Sequence, residues 1–151
     1  TIVAGILKQL VDASPHDRVA TLTQSIARRF GGIVASAVEA AAEPRFDPLG
    51  RERTWKASRF EVLACLSGAS PRVADLWIAT EIHHCGMALT DIRRLGVEYA
   101  RSAAPAPPAE LLWWYQALLE VLSGRLVRSS LQEELRQMSR EVGTFLADNP
   151  E

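Results

Sequence analysis

The chain has 151 residues, 48% hydrophobic and 23% charged, the composition of a globular chain long enough to bury a core of its own. Its net charge of -1 argues against a nucleic-acid partner, which requires a basic face. No run approaches the roughly 18–20 apolar residues of a membrane-spanning helix, and the opening TIVAGILKQL has neither the basic start nor the small-residue cleavage site of a secretory signal.

Helical periodicity dominates and no segment alternates as a strand. Residues 1–12 predict a short amphipathic helix through Ile2, Ile6, Leu7 and Leu10, followed by an SPHD turn with Ser14 and Asp17 as capping candidates. From Asp17 to Glu43, Val19, Leu22, Ile26, Phe30, Ile33 and Ala37 recur at steps of three and four, one apolar stripe. Gly31-Gly32 interrupts it and predicts a kink or a close helix approach. EPRFDPLG (43–50) reads as a loop.

Arg51–Leu66 predicts a third helix anchored by Trp55, Phe60, Leu63 and Leu66. A tight SGASP link follows, with Ser70 as N-cap before Pro71. The stretch 71–101 reads as one long helix without a breaker before Pro105, with Ile78, Ile82, Cys85, Leu89, Ile92 and Gly96 along one stripe. AAPAPPA is a stiff connector. Residues 110–127 carry Leu111, Trp114, Leu118, Leu122 and Leu126. Residues 129–147 carry Leu131, Leu135, Met138, Val142 and Phe145 behind a Ser129 or Ser130 cap. The fold expected is all-α, an antiparallel bundle of five or six helices forming a single domain over 1–151. Cys65 and Cys85 are too few for a disulfide framework and are expected reduced in the core. Lys8 and Lys56 are the only lysines, so the positive charge is nearly all arginine, which suits carboxylate pairing and fits a GC-rich genome.

Candidate chemistry concentrates in the helix from 71. Glu81-x-x-His84 is the spacing by which a helix offers a carboxylate and an imidazole to one metal, but bundle di-metal sites need that motif twice, and here it occurs once. A zinc site from Cys65, His84 and Cys85 meets the difficulty that adjacent helix positions point about 100° apart. For the same reason a cysteine beside a histidine does not make a nucleophile–base pair. Gly31-Gly32 lies inside a helical pattern and not in a phosphate-cradling loop. No catalytic residue, cofactor or metal is therefore expected, and Glu81 and His84 remain the weak metal candidates. Trp113-Trp114-Tyr115 reads mainly as core, with Trp113 and Tyr115 as weak ligand-binding candidates. Arg93-Arg94 and Arg28-Arg29 read as solvated faces or salt-bridge partners, with anion binding by such a pair as the alternative, and Arg93 and Arg94 stand with Trp113 and Tyr115 as weak ligand-binding candidates.

Residues 51–99 carry a further pattern. RERTWKASRFEVLACL, with Trp55, Arg59, Leu63 and Leu66, is followed by a helix ending GMALTDIRRLG, with Gly86, Ala88, Leu89, Arg93, Arg94 and Gly96. Together these resemble the soluble region of the fusaric acid resistance and aromatic acid exporter family of inner-membrane efflux proteins. The resemblance covers about a third of the chain and supplies no catalytic residue to carry over. It implies a non-enzymatic helical domain on the cytoplasmic side of a bacterial inner membrane, serving export of aromatic or other weak organic acids. Its expected partners are the membrane part of the same protein or a second copy, with no nucleic acid. The start at Thr1 fits either a processed protein or an excised piece of a longer one. Two rival readings are a stand-alone ligand-binding module using Trp113, Tyr115 and an arginine, and a metal-dependent enzyme built on Glu81 and His84.

Overall fold

A computed structural model describes residues 2–123 and 129–147. Among them the chain is all-helical: α1 Ile2–Asp12, α2 His16–Phe30, α3 Gly32–Ala41, α4 Trp55–Gly68, α5 Pro71–Leu95, α6 Val97–Ala103, α7 Pro108–Leu122 and α8 Ser129–Ala147. The Ile2 side chain, Leu126, Val127 and the Ser129 cap, all used in the sequence reading, lie outside what is described. None of these helices is long and apolar enough to cross a membrane. The chain divides into two compact units, residues 1–77 and 78–151, with α5 beginning in the first and continuing in the second.

Two helical stretches are broken, each at one glycine: the kink expected at Gly31-Gly32 is a full break, and the stretch 71–101, read as one helix, is interrupted at Gly96. Gly31 (φ 87°, ψ 157°) separates α2 from α3, and Gly96 (φ 94°, ψ 164°) separates α5 from α6. This backbone region is essentially reserved for glycine. A Cβ at either position would meet nothing within 4 Å, so the requirement is conformational and not steric. Gly31→Ala is therefore expected to lower stability by about 1–3 kcal/mol, read as a reduced urea midpoint with an unchanged m-value. The same four-residue pattern precedes both breaks: Arg28-Arg29-Phe30-Gly31 in the first unit and Arg93-Arg94-Leu95-Gly96 in the second.

In the first unit α3 packs on α1 and α2. Val11, Ile26, Val38 and Ala41 are buried there, with Val62 and Leu66 from α4 and Trp77 from α5. The phase of α1 differs from the expected one. Its buried side is Ala4, Leu7, Lys8 and Val11, whereas Ile6 and Leu10 are exposed, because a lysine and not an isoleucine occupies the inner face. The break at Gly31 resets the stripe of the second predicted helix, leaving Phe30 and Ile33 exposed. Helix α4 starts at Trp55 and not at Arg51, capped by Thr54 Oγ1, which accepts from the Ala57 N–H. Its buried side is Ser58, Arg59, Val62 and Leu66, so the expected anchor Phe60 is exposed, as is Cys65, which does not join the core. Before α4, the 43–54 loop closes on itself. Phe46 and Glu52 form an isolated β-bridge, Asp47 caps the turn at Leu49 and Arg51, and Arg53 donates to the Phe46 carbonyl.

Ser70 accepts from the Val73 N–H, capping α5 as expected. Ser14 does not cap α2; its hydroxyl donates back to the Leu10 carbonyl, and Pro15 takes the N-cap position. In the second unit α7 and α6 pack on α8. Here the sequence stripes hold in part: Ile78, Cys85, Leu89 and Ile92 of α5, Leu111, Trp114, Leu118 and Leu122 of α7, and Leu135 and Val142 of α8 are buried. Ile82, Leu131, Met138 and Phe145 are half-buried, Gly96 is exposed, and Ser139 and Leu146 complete the inner face of α8. Small residues set the approach distances. A Cβ on Gly143 would come within 3.0 Å of Leu112 Cδ2, and one on Gly86 within 3.4 Å of Met138 Cε.

Candidate functional site

The i,i+3 spacing of Glu81 and His84 brings them together on α5. His84 Nδ1 stands 3.4 Å from Glu81 Oε2, with the carboxylate side chain 3% exposed and the imidazole 42% exposed. Neighbouring His83 is exposed and its ring lies 6.1 Å from that of His84, tilted away. Among the described residues no three of His, Cys, Asp and Glu converge as metal ligands.

Cys85 points the other way, into the core, and is fully buried. Burial pushes its thiol from the ordinary 9.0 up to about 11, and the charge of Glu81 adds to the rise; the Tyr115 hydroxyl bonded to the sulfur opposes it. At neutral pH this is a protonated thiol, the wrong form for a nucleophile. Tyr115 is thereby buried and committed to Cys85, and Trp113 is half-buried. Arg93 is paired with Glu141 of α8 at 2.5 Å, both partners substantially exposed, while Arg94 is exposed. Three open depressions, one at residues 32–37, one at residues 11–16 and one on α5, are walled by residues other than Arg93, Arg94, Trp113 and Tyr115. The depression on α5 itself is lined by His83, Gly86, Met87, Thr90 and Asp91.

The densest polar constellation lies in the first unit and was not expected from the sequence. Lys8 is 1% exposed, 2.6 Å from Asp12 and 4.2 Å from the centre of the Trp77 ring. Arg59, 6% exposed, lies 5.8 Å from the same ring and 5.0 Å from that of Trp55, and pairs with Glu43 at 3.2 Å. Asp12 also accepts the Glu43 N–H at 2.8 Å, and its backbone carbonyl accepts from Arg45 at 2.7 Å. Ser58 donates to Glu43. Two cations thus share one indole face system, and two carboxylates tie α1 to α4 and to the start of the 43–54 loop. Beside this knot lies a cleft of about 170 Å³, with Asp12, His16, Arg45 and Phe46 in its wall. His16 packs on Phe46 at 4.7 Å. The knot is legible only in part. Lys8–Asp12 is an i,i+4 pair, but nothing local in the sequence marks Lys8 as buried or Trp77 as the surface on which it rests.

No protein-family model and no curated protein matches this sequence.

Proposed function

We propose that the chain is a non-catalytic helical domain of an inner-membrane exporter of aromatic or other weak organic acids, on the cytoplasmic side, packed against the membrane part of the same protein or a second copy of itself. The structural observation behind this reading is the outer face of α1. Val3, Ile6 and Leu10 follow one another at steps of three and four and are 46%, 65% and 50% exposed. A helix that turns an apolar stripe outward has a surface for more protein, and the Trp55 to Gly96 pattern suggests which protein. Residues of that pattern take up fold positions: Trp55 and Arg59 stack on each other and Leu66 is buried. They therefore support a shared scaffold and not a shared reaction. The antiparallel-bundle arrangement of the helices belongs to the same proposal.

A non-catalytic role is supported by how the reactive groups are spent. The Cys85 thiol is held protonated in the core, and Arg93 is engaged by Glu141. The test is the complete reading frame. The exporter reading expects hydrophobic membrane spans encoded on at least one side of this segment, and a frame that ends without any contradicts it.

A further inference from the structure

The break between α2 and α3 exposes an unusual pairing of side chains. Phe30 is 46% and Ile33 74% exposed, on either side of the Gly31-Gly32 bend. Arg28 and Arg29 precede them in the last turn of α2, both exposed. Arg72 joins them, since it lines one open depression together with Ile33, Ser36 and Ser70. No acidic residue occurs between Asp17 and Glu39 or between Glu61 and Asp75, so the surroundings of the bend carry arginine charge uncompensated by nearby sequence.

We propose that this bend docks on an anionic lipid bilayer, Phe30 and Ile33 entering the headgroup–acyl boundary while Arg28, Arg29 and Arg72 meet lipid phosphates. Two large apolar side chains are too small a patch for a stable protein interface, which buries roughly 800 Å² on each partner. They suffice for reversible membrane attachment when a basic cluster supplies the second signal. Arginine also suits the place, since its long stem reaches from an apolar insertion point to the phosphate plane and its planar head bonds phosphate in two places.

The second unit carries a built-in control. Arg93-Arg94-Leu95-Gly96 repeats the pattern and Leu95 is 57% exposed, but Arg93 is bonded to Glu141 and Glu98 follows in the next turn. Apolar exposure is present there without the uncompensated charge, so this second break does not dock. The inference does not rest on the exporter reading: the bend acts the same way whether or not the gene encodes membrane spans.

The experiment is co-sedimentation of the 151-residue protein with vesicles of phosphatidylglycerol mixed into phosphatidylcholine, beside vesicles of phosphatidylcholine alone. Binding to the anionic vesicles only, lost at 0.5–1 M salt on the order expected from screening, is the expected result. Each of Arg28→Gln, Arg29→Gln and Arg72→Gln weakens it about fivefold. The pair Phe30→Ser with Ile33→Ser abolishes it, and Leu95→Ser leaves it unchanged. Because these positions are exposed, unchanged circular dichroism and urea midpoints separate lost docking from lost folding. Equal binding to neutral vesicles, equal loss with Leu95→Ser, or no sedimentation overturns the proposal. So does concentration-dependent dimerisation that Phe30→Ser and Ile33→Ser remove, which assigns the bend to a second copy.

Discussion

Asp12→Ala is expected to destabilise the protein by about 3–5 kcal/mol, whereas Lys8→Met, at the other end of the same ion pair, is expected to be close to neutral. Lys8 is fully buried and its ammonium has two sources of compensation, the Asp12 carboxylate at 2.6 Å and the Trp77 ring at 4.2 Å. Removing Asp12 leaves a charge in the core with only the indole face beside it. It also strips the partner from the Glu43 N–H, which Asp12 holds at 2.8 Å. Methionine at position 8 keeps most of the lysine stem's volume and removes the charge. The Asp12 carboxylate, which is 15% exposed, retains the Glu43 N–H and some water. Urea unfolding of both variants measures the asymmetry. Losses in both that are equal and no larger than about 1 kcal/mol would mean that the pair contributes as a simple surface salt bridge. Equal large losses would mean that Lys8 is needed as much as Asp12.

The second large effect lies at alkaline pH. The Cys85 thiol ionises near 9.0 when the chain is unfolded and at about 11 when it is folded. Below pH 9 it is protonated in both states and stability is unaffected. As pH rises from 9 toward 11 the unfolded chain loses the proton and the folded one keeps it, so folding stability falls by about 2–3 kcal/mol across that window. The groups facing the sulfur have opposing effects, since Glu81 disfavours the thiolate and the Tyr115 hydroxyl favours it, but desolvation dominates. Other residues titrate in the same range. The test is therefore the difference between wild type and Cys85→Ala: the variant shows a shallower decline between pH 9 and 11, whatever its stability at pH 7. Thiol reagents give a parallel readout. At pH 8 exposed Cys65 reacts promptly, and Cys85 reacts only after unfolding. Equal reactivity of both thiols in the native protein contradicts the buried site.

These two effects fall on opposite sides of what the sequence reveals. The stripe from Ile78 to Gly96 is largely legible because a helix packed along one side must repeat at steps of three and four: Ile78, Cys85, Leu89 and Ile92 are buried, while Ile82 is half-buried and Gly96 exposed. The Glu81–His84 contact is legible for the same local reason. The hydrogen bond between Cys85 and Tyr115 is not, since it joins residues thirty positions apart and depends on how α7 meets α5. Nor is the Lys8 knot. Periodicity places Ile6 and Leu10 on the inner face of α1 by hydrophobicity, but that face packs on α3 and carries Lys8, whose ammonium is received by the Trp77 ring and Asp12.

The helix breaks show a different limit. A glycine inside a helical pattern costs roughly 1 kcal/mol relative to alanine, too little to distinguish a tolerated glycine from a stop. Gly5, Gly86 and Gly143 lie within helices, whereas Gly31 and Gly96 end them with φ near +90°. Both breaks follow an Arg-Arg-apolar triplet, and each puts a large apolar side chain on the surface, Phe30 at the first, where the expected stripe turns it inward, and Leu95 at the second. The arginine pairs that read as solvated faces are thus placed beside exposed apolar groups. At Gly96 Glu141 engages one arginine, and at Gly31 no acidic residue is nearby in sequence.

The exporter reading is tested most directly by transport in intact cells. Bacteria carrying the complete gene are loaded with a labelled aromatic carboxylic acid and its loss is followed against cells lacking the gene. Efflux is expected to be faster with the gene. Replacing Glu81 and His84 with Gln is expected to leave transport intact. Identical efflux with and without the gene across a panel of aromatic acids contradicts the exporter reading, and loss of activity specific to the Glu81 and His84 replacements in a folded protein would favour the rival metal-dependent enzyme.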